Sequence, residues 1–249
     1  MPRVHVLTNK DCARPERLRG AIVVVVDAIF ATTGIAVMIE RGATQIVPLA
    51  DAGAALSAAS EYRKDQVILV GEKDGEPIPG FLEPWPINLL ARDLRGKTII
   101  YSTTNGTIAL TRAATASLVL ASSPVNARAV ADHIVRHHED RNIVLLCAGS
   151  GSAFSLEDFY GAGCVTSQLA AFGKSFSLSD AAHAARLLHD NTPVRQCIFE
   201  TYAGRMMTAQ GRHEDLALVT RENAFDVIPI FADGRIRNAS TSSRSAGNG

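Results

Sequence analysis

Carboxylates and hydroxyls in this chain gather at a few points, each just after an apolar run. Asp27 follows Val23-Val24-Val25-Val26 and precedes Thr32 and Thr33. Glu72, Lys73 and Asp74 follow Val67 to Gly71, and Thr103-Thr104-Asn105-Gly106-Thr107 follows Thr98 to Ser102. Asn126 closes Ser122-Ser123-Pro124-Val125, and Gly149-Ser150-Gly151-Ser152 leads into Ser155-Leu156-Glu157-Asp158. If the apolar runs are parallel strands, these clusters share the rim at the strands' carboxyl ends, where open α/β sheets bind ligands. Asp27, Glu72, Glu157 and Asp158 would then meet hydroxyls and helix-start N–H groups. That mixture suits a divalent cation bridging carboxylates to a phosphate, with backbone donors on the phosphate oxygens.

Each cluster also has a simpler reading. Asp27 could cap the following helix, Glu72 and Asp74 could be solvated loop charges, and Thr103 to Thr107 could be a turn, since Asn-Gly is a common turn dipeptide. Gly149-Ser150-Gly151 lacks the third glycine of a dinucleotide fingerprint, because position 154 is Phe. A cysteine-based phosphatase loop needs Arg six residues after the nucleophile, and the sixth residue after Cys147 is Ala153. A haloacid dehalogenase-type phosphatase wants a second Asp two positions after the first, where Ile29 stands.

The elements that must position these residues alternate along the chain. Strands are expected at Val4 to Leu7, Ile22 to Asp27, Gln45 to Pro48, Val67 to Gly71, Thr98 to Ser102, Ser117 to Ala121, Ile143 to Ala148 and Ala217 to Thr220. Helices are expected at Thr32 to Arg41, Ala52 to Tyr62, Ala109 to Ala113, Asn126 to His138, Leu156 to Phe172, Ser179 to Leu188, Val194 to Thr201 and Ala203 to Gln210. Alternation of this kind predicts a three-layer α/β/α fold with a mixed, partly parallel sheet. The unbroken run before Asp27 cannot alternate between core and water, so its strand should be covered on both faces. Asp51 and Ser155 sit where helix N-caps belong, and Gly42 and Gly173 where helices should stop. Ile22 to Arg41 and Ile143 to Phe172 share a strand, loop and small-residue helix, a hint of internal duplication within one compact unit over 1–238. Ala239 to Gly249, rich in Ser, Gly and Asn, reads as a disordered tail.

Composition narrows the partners. The 249 residues are 47% hydrophobic and 20% charged, and 25 basic residues balance 25 acidic ones. That balance argues against a bulk electrostatic grip on nucleic acid or anionic lipid. With no apolar run of transmembrane length and no basic-then-apolar leader, the expected setting is cytoplasmic, away from membranes. Cys12, Cys147, Cys164 and Cys197 form no CxxC pair, and Cys147 and Cys164 read as small core residues. His137-His138-Glu139-Asp140 reads as a solvated helix end.

In this order and spacing the clusters resemble the 2-phosphosulfolactate phosphatase family. The resemblance runs through Val23 to Asp27 with Ala31-Thr32-Thr33, Gly42-Ala43, Gly71-Glu72-Lys73, Gly80-Phe81 and Gly96-Lys97. It continues through Thr103 to Thr107, Asn126-Ala127, Cys147-Ala148-Gly149, Phe154 to Asp158, Gly161-Ala162-Gly163 and Gly211 to Asp215, covering about residues 20–237. It implies a Mg2+-dependent phosphatase acting on a small phosphorylated molecule, and a homodimer. The implied catalytic and metal-binding residues are Asp27, Glu72, Glu157 and Asp158. Thr32, Lys73, Thr103, Thr104, Asn105, Asn126, Gly149 and Ser150 would bind substrate.

Two departures touch the substrate. The family's first motif usually carries Arg three residues after the Asp, and here that residue is Phe30, which can make no bidentate charged hydrogen bond. Relatives usually read Gly-Phe-Asp, one residue, then Gly-Asn-Ser-Pro, where this chain reads Gly80-Phe81-Leu82-Glu83-Pro84-Trp85-Pro86-Ile87-Asn88. Phe30 and Trp85 could pack together over the site and favour a substrate with an apolar portion, or merely fill core. An altered phosphatase, a Mg2+-dependent hydrolase or lyase of another ester, and a non-catalytic ligand-binding homologue are the readings carried forward. Four costly carboxylates argue for the enzymes.

Overall fold

The residues from Ile22 to Val26 are fully shielded from solvent, because both faces of their strand are covered. Val23 and Val25 pack into one apolar core and Ile22, Val24 and Val26 into a second on the opposite face. The chain is described here by a computed structural model over residues 1–138, 140–173 and 175–239. Apart from Ala239, the expected tail lies outside the described residues.

The strands are β1 (Arg3–Leu7), β2 (Ile22–Val26), β3 (Gln45–Leu49), β4 (Val67–Lys73), β5 (Glu76–Pro77), β6 (Thr98–Ser102), β7 (Leu118–Ser122), β8 (Ile143–Cys147), β9 (Ser177–Leu178), β10 (Pro229–Ala232) and β11 (Arg235–Asn238). They form one mixed sheet in the order β5-β4-β6-β3-β11-β10-β7-β2-β8-β1-β9. Two parallel blocks, β4-β6-β3 and β7-β2-β8-β1-β9, are joined by the antiparallel hairpin β10-β11.

The helices are α1 (Pro15–Leu18), α2 (Ala31–Glu40), α3 (Ala52–Ala59), α4 (Pro86–Leu90), α5 (Gly106–Ala113), α6 (Ala127–His137), α7 (Leu156–Ala171), α8 (Asp180–Asn191), α9 (Val194–Glu200), α10 (Tyr202–Ala209) and α11 (His213–Val219). α2, α4 and α5 contribute to the first core, and α6, α7 and α8 to the second, which gives the expected three layers. A third, smaller core gathers Ile29 and Trp85 with Ile198, Met207 and Leu216 from α9, α10 and α11. The caps follow side-chain chemistry: Asp51 accepts from the Ala54 N–H at 2.9 Å, and Ser155 from the Asp158 N–H at 3.2 Å.

Ala217 to Thr220 is the one expected strand that is helical, as the end of α11. Leu216, Leu218 and Val219 are buried there, and so short an apolar run carries no period that separates strand from helix. The hairpin β10-β11 is an addition to the sequence reading. Its turn is Asp233-Gly234, both at positive φ (51° and 71°), and Asp74-Gly75 (54° and 83°) turns β4 into β5 in the same way. Positive φ at both central residues marks the tight turn that matches strand twist, and Asp-Gly supplies it. The two segments read as a duplication pair in register from Ile22 with Ile143 to Val26 with Cys147, but their helices α2 and α7 lie in opposite layers.

Candidate active site

Asp27 directly follows β2, Glu72 is the next-to-last residue of β4, Thr103 directly follows β6 and Gly149 lies two residues past β8. β2 and β8 belong to one parallel block and β4 and β6 to the other, which runs the opposite way through the antiparallel steps β3-β11-β10-β7, yet all four residues meet at one place. There a cleft of about 330 Å³ is lined by Asp27, Glu72, Thr103, Thr104, Asn105, Gly149, Ser150, Glu157 and Asp158. Phe30 also lines it, with Ile29, Asp74, Gly75, Gly151, Ser155, Tyr202, Ala203 and Met206. A larger open groove of about 1160 Å³ between α3 and the Gly80 loop is remote from this cluster.

All four carboxylates are nearly buried, between 3% and 9% exposed. Two of them are committed to the backbone. Asp158 accepts from the N–H of Ala28 on one oxygen and of Gly149 on the other, both at 2.9 Å, and so ties the ends of β2 and β8 to α7. Glu72 accepts from the N–H of Thr104 and of Gly75, both at 2.7 Å, and from the Thr104 hydroxyl at 3.1 Å. The other two are open. Asp27 takes the Ala31 N–H on Oδ1 at 3.1 Å, while its Oδ2 faces Gly106, where a Cβ would stand 2.8 Å away. Glu157 accepts no hydrogen bond among the described residues.

This crowding governs protonation. Burial pushes the Asp27 carboxyl up to about 7, against the pull of the Ala31 N–H and with the charges of Glu72 and Glu157 adding. Burial, then Asp27 and Glu157, push Asp158 well above the ordinary carboxylate range. A cation in the cleft would reverse both effects, since an opposite charge nearby favours the ionised form.

The remaining candidates divide. Thr32 is fully buried, its hydroxyl accepting from the Asp27 N–H at 3.0 Å and standing 2.7 Å from the Ser122 carbonyl; it braces the Asp27 turn from behind. Asn126 is also fully buried, with its amide against the carbonyls of Ala121 and Val227 at 3.3 and 3.2 Å, outside the cleft. Lys73 is exposed and faces the neighbouring hollow beside Asp51. Trp85 is 3% exposed and stands behind Phe30, ring centroids 5.8 Å apart, with the Arg212 guanidinium carbon 4.4 Å from the centroid of its ring.

Sequence reasoning passed over Lys10. Its ammonium is 6% exposed and donates to Asn105 Oδ1 at 2.9 Å and to the carbonyls of Gly151 and Ala148 at 2.6 and 3.2 Å. Burial pulls its pKa down, opposed by Asp11, Asp27 and Asp158. The signal was available, because Asn9-Lys10-Asp11 follows β1 as the other clusters follow their strands. Tyr202 and Met206 come from α10, and no local motif marks them.

The arrangement can hold a cation at Asp27 and Glu157 and offer N–H groups at the starts of α5 and α7 to an anion. The profile of the 2-phosphosulpholactate phosphatase family matches residues 7–234 of this chain. A probable 2-phosphosulfolactate phosphatase of Carboxydothermus hydrogenoformans is 37% identical over 86% of this chain and 89% of its own. Proteins of the same description from Clostridium perfringens strain SM101 and Symbiobacterium thermophilum are each 30% identical, over 94% and 89% of this chain and 96% and 95% of theirs.

Proposed function

The chain belongs to the 2-phosphosulpholactate phosphatase family, and on that premise we propose that it hydrolyses a small phosphomonoester, 2-phosphosulfolactate or a less charged analogue, with Mg2+ as cofactor. The observation that carries this reading is the hydrogen-bond accounting of the four buried carboxylates. Asp158 and Glu72 are held by backbone N–H groups, whereas Asp27 Oδ2 and Glu157 are open. Mg2+ usually takes one or two protein carboxylates and keeps several waters, so Asp27 and Glu157 fit as its ligands. When bound, it would neutralise charge on the phosphate oxygens.

The chain's own groups do the rest. Backbone N–H groups at the start of α5, beside Asn105 and Gly106, meet the phosphate, and Lys10 adds a positive charge beneath them. Water attacks phosphorus, the P–O ester bond breaks, and the alcohol leaves with a proton. The ester's organic end lies against Ile29, Phe30, Ala203 and Met206, an apolar wall that a second anionic group would meet without a partner. Among the described residues no helix is long and apolar enough to cross a membrane. The cytoplasmic setting and the homodimer are part of the same proposal, and light scattering checks the latter.

The test is inorganic phosphate release from 2-phosphosulfolactate and a panel of phosphomonoesters, with Mg2+ and with chelator. Release that needs the cation and is lost in Glu157→Gln is expected. Turnover unchanged in chelator overturns the metal assignment, and no turnover of any ester with Mg2+ overturns the phosphatase.

A further inference from the structure

About two turns along α7 from Glu157, three side chains of different chemistry meet. Cys164 on α7 is 2% exposed, His189 lies near the end of α8, and Glu222 belongs to the segment after α11. Cys164 Sγ is 3.5 Å from Glu222 Oε1, and His189 Nε2 is 3.1 Å from the same oxygen. One ligand atom of each residue lies within 4.8 Å of the other two.

The close approach is built into the helices. A Cβ on Gly163 would stand 2.2 Å from the Ala185 carbonyl oxygen and 3.0 Å from His189 Cβ, so only glycine lets α8 settle this near Cys164. The imidazole is then fixed from two more sides. The Tyr160 ring packs on it with centroids 5.4 Å apart, and Asp190 Oδ1 lies 2.9 Å from Nδ1. Asp190 is braced in turn by the Ser167 hydroxyl at 2.7 Å and Arg186 at 3.1 Å. A carboxylate on Nδ1 with Nε2 turned to a ligand cluster is the arrangement that orients metal-binding histidines.

We propose that Cys164 Sγ, His189 Nε2 and Glu222 Oε1 form a Zn2+ site with a fourth position open to water. Tetrahedral Zn2+ with bonds of about 2.0–2.3 Å sets its ligand atoms about 3.3–3.6 Å apart. The sulfur–oxygen and nitrogen–oxygen separations here, 3.5 and 3.1 Å, need little movement to meet that. Thiolate, imidazole and carboxylate together select Zn2+ over Mg2+, which takes oxygen ligands, so this site and the cleft would not compete for one ion. The ion would fasten the segment after α11 to α7 and α8. That segment also lies on the start of α6, where Asn223 Oδ1 accepts from the Arg128 N–H at 2.8 Å.

The competing arrangement is metal-free: a protonated imidazole between Glu222 and Asp190, with the Cys164 S–H bonded to Glu222. Cobalt titration of the reduced, chelator-treated full chain in excess Mg2+ separates the two. A stoichiometric thiolate-to-cobalt charge-transfer band is expected, displaced by Zn2+, unchanged in Asp27→Asn, and lost in Cys164→Ala. Glu222→Gln, at the surface, weakens the band at least tenfold while the metal-free fold is kept. Zn2+ should raise the Tm of the wild type and not of Cys164→Ala. Absence of the band, or a band that survives Cys164→Ala, overturns the assignment. Phosphate release by the Mg2+-loaded protein is read separately and does not depend on this outcome.

Discussion

Asp158 and Glu157 are adjacent in sequence, yet their removal should damage different properties. Asp158→Ala leaves the N–H groups of Ala28 and Gly149 unpaired in buried surroundings. Each orphaned donor costs about 1–3 kcal/mol, so two cost about 2–6 kcal/mol before compensation. Compensation exists, because the substitution also removes a buried charge that repels Asp27 and Glu157. The net loss should therefore fall near the lower end, about 2–3 kcal/mol, which for a chain of this size lowers Tm by about 4–12 °C. Glu157→Gln gives up no hydrogen bond and relieves the same repulsion, so it should unfold within about 0.5 kcal/mol of wild type. Its cost appears in Mg2+ affinity, down about tenfold or more. Thermal and urea unfolding in chelator read the first effect, and calorimetry with Mg2+ the second. If Glu157→Gln unfolds as early as Asp158→Ala, or if Asp158→Ala melts with wild type, the division of the carboxylates into braces and ligands is wrong.

Phe30→Arg should raise kcat/KM on 2-phosphosulfolactate about tenfold or more by restoring a bidentate contact worth about 1.5–3 kcal/mol; a wild-type kcat/KM of about 10⁴ M⁻¹s⁻¹ or better would show that Phe30 costs nothing. Lys10→Met should lower Tm and reduce kcat/KM by about ten- to a hundredfold, since it frees Asn105 and the Gly151 loop and removes a cation; intact kinetics would take Lys10 out of the site. Burial, then His137 and His138, holds His133 below the ordinary histidine pKa, and its Nε2 has no partner among the described residues. The unfolded chain therefore binds this proton first as pH falls below about 6.5, and stability is lost in that direction. In His133→Phe the slope of stability between about pH 7 and 5 should flatten; an unchanged slope by urea unfolding would assign it to other groups.

What could be read in the sequence was local. Asp27, Thr103 to Asn105 and Gly149-Ser150 lie just past strands and Glu72 next to the end of one, and strand ends within one parallel block share a rim; that the ends of two oppositely directed blocks meet at one cleft depends on the antiparallel joint and had no local signal. Glu157 and Asp158 sit in the first turn of a helix whose Ser155 cap was legible. What was hidden depends on direction and distance. The Lys10 ammonium reaches Asn105, 95 residues away, and nothing near Lys10 in the chain states that it turns inward. Asn126 lies four residues past β7, but its amide turns into the sheet, where it donates to the Ala121 and Val227 carbonyls, and not into the cleft. The Asp233-Gly234 turn was visible but unused, and without it the two parallel blocks have no joint. The Cys164 cluster joins residues whose spacing, 25 and 33, matches no ligand motif.

The rewritten loop explains why the missing arginine is not replaced from next door. Trp85 starts α4, packs on Phe30 and carries the Arg212 guanidinium on its ring. Arg212 is further held by Glu83 at 3.4 Å and Asp215 at 3.8 Å, and Asp215 itself accepts from the Ile87 N–H at 2.9 Å. The Arg212 guanidinium is thus spent on the loop, behind the aromatic pair rather than in the cleft. On the proposed reading phosphate binding would not suffer, because the N–H groups at the start of α5 and the Lys10 charge do not depend on position 30. On that reading Phe at position 30, in place of the Arg expected from the family resemblance, would act on the far end of the substrate. A sulfonate there would lose its ion pair and face apolar surface, whereas an uncharged end would gain contact, so discrimination should appear between substrates that share a phosphate and differ in the second charge.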